Sequence, residues 1–167
     1  MQSALSEFDL YLLAEGTHYR AYEKLGAHLT EREGHRGVQF AVWAPNAKLV
    51  SVIADFNDWN PAAHILGPSS AGVWEGFVPD VGQGSIYKYH IESRYGRYSV
   101  DKADPYGFAS EIRPQTASKV WNLESYSWND GAWMATRAIA ILSDLPYPSM
   151  KCTLALGGVC RRNITGG

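Results

Sequence analysis

The fold class this sequence predicts is all-β: a sandwich, preceded by an irregular, partly helical N-terminal segment and followed by a C-terminal tail expected to be disordered. Three observations predict it. From about residue 37 to about residue 120, apolar side chains recur at every second position, the repeat of a strand with one buried face. Pro, Gly, Asn and Asp cut that run into short pieces at regular intervals. No helical repeat alternates with the strands, which argues against a parallel α/β sheet.

Each element follows in order. Residues 5 to 29 are mixed, with one helical hint before Gly16 and another around Tyr19 to Leu25. In "GVQFAVWAP" Val38, Phe40 and Val42 share a face, Gln39 and Ala41 lie opposite, and Pro45 and Asn46 end the strand. In "KLVSVIADF" Val50, Val52, Ala54 and Phe56 share a face against Ser51 and Asp55. "GVWEGFVP" is a third strand, closed by Pro79. In "SIYKYHIES" Tyr87, Tyr89 and Ile91 point inward, while Lys88, His90 and Glu92 point outward. A hairpin is expected at Tyr95-Gly96-Arg97, then a loop in "DKADPYGF", then a last strand through Ala117 to Val120. Trp74, inside a strand, is assigned to the core or an interface.

Composition narrows the function. The 167 residues suffice for one domain with an appended segment. A formal charge of −2 gives no support to nucleic acid or an anionic membrane as partner. No apolar run approaches the roughly 18 to 20 residues of a membrane span. The N-terminal stretch carries acids where an export signal would carry Lys or Arg, so a cytoplasmic setting is expected. Cys152 and Cys160, the only cysteines, make neither a disulfide framework nor a zinc site. The five histidines (His18, His28, His35, His64, His90) lack i, i+4 spacing. No nucleophile elbow or phosphate loop is present. No catalytic residue, metal or cofactor is therefore expected.

Aromatics stand out instead: ten Tyr and six Trp. Most belong to a β core that needs large side chains. The stretch "ADFNDWN" does not fit that explanation. Trp59 sits among Asn57, Asp58 and Asn60, with Pro61 directly after. Such turn residues belong at a surface, whereas an indole gains most when taken out of water.

The strings "EGTHYRAYEKLGAH", "VQFAVWAPNA", "VSVIADFNDWN", "GVWEGFVP", "YKYHI", "DKADPYGF" and "RPQTAS" occur in this order. Over about residues 5 to 138 the chain resembles the N-terminal part of the 1,4-α-glucan (glycogen) branching enzymes. Within that, the stretch from about Gly37 to Val120 is similar to the family 48 carbohydrate-binding module, an immunoglobulin-like sandwich. The resemblance implies four spans: 1–35, an N-terminal segment of branching-enzyme type; 36–122, the module; 123–138, a linker toward a (β/α)₈ barrel; and 139–167, a tail. It implies α-glucan as ligand, the barrel as partner, and a role in glycogen synthesis. The catalytic aspartate and glutamate of that family belong to the barrel, so this chain alone is expected to be inactive. Debranching enzymes and the regulatory subunit of AMP-activated kinase carry related modules, but the first string belongs to the branching lineage.

In the glycogen-binding relatives the tryptophan matching Trp59 stacks on a glucose ring, and the lysine matching Lys88 hydrogen-bonds sugar hydroxyls. The axial C–H face of a pyranose suits an indole, and a cationic donor suits hydroxyl oxygens. Asn57 and Asn60 are added as hydroxyl contacts from the same turn. The kinase-type modules place a second stacking tryptophan in the following hairpin, where this chain has Tyr95 and Tyr98. Two uses remain open for Trp59, contact with glucan or contact with the barrel. A purely structural spacer would need only the second.

After "WNDGAWMATRA" the resemblance stops. In the family this region leads to a string such as "PISVYEVHLGSWRR". From Leu145 onward, the frame that starts at the third base of each codon permits that whole string. Met150-Lys151 forces Glu there, and puts a stop codon in the other frame. Residues from about 139 are thus expected to be an out-of-frame tail, in which Cys152 and Cys160 carry no function.

Overall fold

The computed structural model describes residues 5–123 and 127–135. The chain divides into two units, one ending at Ser125 and one beginning at Tyr126. In the second, residues 131–135 form a short helix, with the Met134 amide donating to the Asp130 carbonyl at 2.8 Å. The tail from residue 139, with both cysteines, lies outside the described residues.

The first unit opens with α1 (Glu7–Glu15). Ser6 starts it through a reciprocal cap: its hydroxyl accepts from the Asp9 amide, and the Asp9 carboxylate accepts from the Ser6 amide at 2.9 Å. Gly16, at φ 74°, stops it in the left-handed conformation that glycine adopts without strain. A single 3₁₀ turn, Ala21–Glu23, leads into β1 (Gly26–Arg32). The strands that follow are β2 (His35–Trp43), β3 (Ala47–Ala54), β4 (Gly67–Pro68) and β5 (Val73–Pro79). Then come β6 (Ile86–Ser93), β7 (Ser99–Lys102), β8 (Ala109–Ser110) and β9 (Ser118–Lys119).

They form two antiparallel sheets, β1-β2-β5-β4 and β3-β6-β9-β8, with β7 added to β6. The sheets close on Val38, Phe40 and Val42 from one side and Val50, Val52, Tyr87 and Tyr89 from the other. The expected alternation of faces is the one observed. Phe40 meets Tyr87 edge-on at 5.0 Å, and Tyr87 meets Tyr89 at 5.8 Å. Trp74 belongs to this core, with its indole N–H donating to the Ala44 carbonyl at 3.1 Å.

A buried tyrosine must still place its hydroxyl. Tyr87 donates to Asp104 Oδ2 at 2.5 Å, and Tyr89 to the same atom at 3.3 Å. Asp104 also accepts from the Tyr106 amide, and its own amide donates to Ser118 Oγ in β9. The stretch "DKADPYGF", expected to be all loop, begins as the end of β7 with Asp101 and Lys102 paired to β6, and its remainder is thereby pinned to β6 and β9. A second, smaller core covers the outer face of the first sheet: Leu5, Ala21 and Leu25 on Ala41 and Val73, with Leu10 and Leu13 of α1 alongside.

One strand departs from the reading of the sequence. β1 pairs with β2 over its whole length, from Gly26 opposite Ala41 to Arg32 opposite His35. The sandwich therefore begins N-terminal to residue 36, inside the stretch expected as a separate segment. β1 is an edge strand that gives the main core one buried side chain, Ala27, so it shows almost no alternation. β4 and β8, two residues each, are too short to have a period.

Candidate functional site

β3 ends at Ala54, and the chain turns at once through a 3₁₀ turn, Asp55–Asn57, that packs on β6. Asp58 and Trp59 then follow at φ 54° and 57°. Two successive left-handed residues without a glycine are uncommon, and a bulky aromatic there is an outlier that calls for a restraint. The Trp59 amide donates to the Ala54 carbonyl at 2.9 Å, closing the turn on the last residue of β3.

Asn57 supplies most of the remaining restraint. Its Oδ1 accepts from the Ala54 amide at 2.9 Å, and its Nδ2 donates to the Val52 carbonyl at 2.9 Å and to His64 Nδ1 at 2.8 Å. His64 lies edge-on to Phe56, 5.5 Å between ring centres. Past the turn the chain doubles back along the free edge of β3. The Val52 amide donates to the His64 carbonyl, the Leu66 amide to Val50, and Ser51 bridges to Ile65. That return covers an edge otherwise open to foreign strands.

The result is an indole left 42% exposed on a turn fixed from behind. Lys88 lies in β6 opposite Ile53, next to the Ala54–Tyr87 pair from which the turn departs. It shares the outward face with His90, which is bonded to Asp101 at 2.6 Å. The strand register therefore puts Trp59 and Lys88 at one end of the β3–β6 pair.

The asparagines divide. Asn57 spends both Nδ2 hydrogens inside the protein, so its side chain serves the turn and has no donor left for a ligand. Asn60 accepts from the Ala62 amide with Oδ1 at 2.9 Å and keeps Nδ2 without a partner among the described residues. Tyr95 and Tyr98 are exposed at the tip of the β6–β7 hairpin. Opposite β6 near Lys88, β7 supplies Lys102 and Asp101, with no aromatic residue. The long hairpin thus carries both tyrosines away from the Trp59 end. No signal in the sequence separates Asn57 from Asn60, since either amide suits a turn or a sugar.

An antiparallel sandwich with this exposed indole is matched by one family model, carbohydrate-binding module 48 (isoamylase N-terminal domain), over residues 24–107. The chain belongs to the carbohydrate-binding module 48 family. The matched stretch begins just before β1, in keeping with that strand's place in the module. Among curated relatives, 1,4-alpha-glucan branching enzyme GlgB of Trichodesmium erythraeum is 53% identical over 133 residues, which are 80% of this chain and 17% of the relative. GlgB of Gloeobacter violaceus is 49% identical over 140 residues, 83% of this chain and 19% of the relative. The chain thus corresponds to the N-terminal part of such enzymes and spans less than a fifth of their length. Among solved structures, ligand-free PulA from Klebsiella pneumoniae is 27% identical with a TM-score of 0.50, covering 63% of this chain and 10% of that one. Klebsiella pneumoniae pullulanase complexed with maltotriose matches at the same identity and TM-score, covering 66% and 11%. Among the described residues of the module no helix is long and apolar enough to cross a membrane, and no three His, Cys, Asp or Glu side chains gather as a metal site.

Proposed function

We propose that this module is the glucan-contacting N-terminal part of a cytoplasmic 1,4-α-glucan branching enzyme, with Trp59 as the stacking plate and Lys88 as the donor to sugar hydroxyls. The observation that carries the reading is Trp59 itself. A large aromatic is held half-exposed, on a left-handed backbone, by a turn in which the Asn57 amide is wholly spent on holding it. Packing alone gains little from such an arrangement, whereas a ring offered to a ligand needs it. Asn60, with Nδ2 unspent, is the second hydroxyl contact. Asn57 acts only through the turn. In the whole enzyme the module's other partner is the catalytic barrel, and the chemistry belongs there.

Affinity electrophoresis in a glycogen-containing gel tests this. The wild-type chain is expected to be retarded, Trp59→Ala to migrate freely, and Lys88→Ala to fall between. Wild-type mobility indifferent to glycogen would defeat the reading and leave a structural spacer. Affinity is expected to be weak, because one or two stacked rings on an open surface bury little area.

A further inference from the structure

A second cleft lies at the open side of the sandwich, where β1 forms the edge of the first sheet and the chain leaves β9. It has a volume of about 460 Å³ and is lined by Tyr22, Glu23, His28, Phe108, Trp121 and Asn122, among others. This falls within the ~300–1,000 Å³ usual for small-ligand clefts. It shares no residue with the Trp59 turn and does not include Lys88.

Its chemistry is specific. Tyr22 and Trp121 are 46% and 44% exposed, two rings open on about half their surface beside buried neighbours. Glu23 gives Oε1 to Arg20 and keeps Oε2 without a partner among the described residues. His28 bonds the Leu25 carbonyl through Nε2 at 3.0 Å. A carbonyl only accepts, so Nε2 carries the hydrogen and Nδ1 of the neutral ring remains an acceptor. Phe108 meets the His28 ring edge-on at 5.6 Å and fixes its plane.

No Lys or Arg lines this cleft, and its one carboxylate, Glu23, already holds Arg20 as its ion-pair partner, so nothing in the lining answers the charge of a phosphate, nucleotide or acidic peptide. The acceptors ask for hydroxyl donors, and the rings ask for a flat apolar face. A neutral pyranose has both. We infer that this cleft is a second saccharide site of the module, one that accepts hydrogen bonds from the sugar where the Lys88 site donates them. That the sugar is an α-glucan rests on the reading of the Trp59 turn. Two sites on one compact unit would let the module hold two branches of one particle, where the second contact is intramolecular and the avidity exceeds either affinity.

The test is a maltoheptaose titration of the full ¹⁵N-labelled chain, following indole N–H resonances assigned with Trp59→Ala and Trp121→Ala. The Trp121 resonance is expected to move in the wild type and equally in Trp59→Ala. Tyr22→Ala is expected to weaken the binding that Trp121 reports by about tenfold, with core amide resonances unchanged. If that variant loses its dispersed spectrum, Glu23→Gln replaces it, with several-fold weakening expected. A Trp121 resonance that stays still while Trp59 moves overturns the second site and leaves the cleft to a protein contact. A shift at Trp121 that Tyr22→Ala and Glu23→Gln both leave intact overturns it as well. Movement of Trp121 with a silent Trp59 keeps the cleft and defeats the first site instead, and two silent indoles defeat both.

Discussion

Asp58 and Trp59 stand side by side at φ 54° and 57°, and a left-handed backbone costs an L-residue roughly 1–2 kcal/mol. The restraint that offsets this cost is the Asn57 amide, which no aliphatic side chain can imitate. Asn57→Ala would leave the Ala54 amide and the Val52 carbonyl without their present partner. Each unsatisfied group costs about 1–3 kcal/mol, so the variant is expected to lose about 2–3 kcal/mol, read as a lower urea midpoint. It should also lose glycogen retardation, although Asn57 touches no sugar. Trp59→Ala separates the two effects, because it keeps the clip and removes only the plate. Its stability loss should be clearly smaller while its binding loss is complete. Equal stability of Asn57→Ala and wild type would show that the turn holds itself.

Among the elements, β6 carries most of the organisation. One face gives Tyr87 and Tyr89 to the core, the other gives Lys88 to the candidate site, and the two tyrosine hydroxyls meet on Asp104. Burial pushes the Asp104 carboxyl up, against the bonds from Tyr87, the Tyr106 amide and Tyr89 that favour its charged form. Asp104→Ala would orphan two buried hydroxyls at once. It should cost about 3 kcal/mol in chemical denaturation, whereas Tyr89→Phe, which gives up only the longer 3.3 Å bond, should cost less than 1 kcal/mol. A smaller loss for Asp104→Ala than for Tyr89→Phe would remove Asp104 as the clamp. How far the sequence discloses all this differs by element. β2, β3 and β6 each bury one face and wet or cover the other differently, so their alternation is plain. β1 is hidden because an edge strand has little to bury, and Asp104 because a loop aspartate looks like any solvated acid. Trp59 was legible as a misfit with its neighbours; the clip behind it was not, since it depends on a strand, a turn and a return segment meeting.

At the scale of the whole molecule, two aspartates with opposite responses to acid divide the fold. Asp9 joins α1 to the 18–24 stretch, bonding His18 at 3.0 Å and lying 3.8 Å from Lys24. Its burial acts to raise its pKa, but the Ser6 hydroxyl and amide, His18 and Lys24 outweigh that and hold it at about 2. A folded pKa below the unfolded 3.8 contributes stability that is complete above that value and is lost as pH falls through about 2. With solvent screening allowed for, this is about 1–2 kcal/mol. Asp104 has the reverse sign: its pKa is raised above 3.8, so its contribution grows as pH falls through that raised value and is already complete below 3.8, where Asp9 begins to lose its own. Acid should therefore loosen the N-terminal segment before the sandwich. Hydrogen exchange from pH 4 to pH 2, corrected for intrinsic rates, is expected to show α1 amides losing protection while β2, β3 and β6 keep theirs. Asp9→Asn should show the loosened α1 already at pH 6. The exposed face would be Ala41 and Val73, which Leu10, Leu13 and Leu25 now cover, so binding of a hydrophobic dye should rise in step with the loss of α1 protection. Simultaneous loss of protection in α1 and the strands would mean that helix and sandwich fold as one cooperative body, with the Asp9 cluster no weaker than the core.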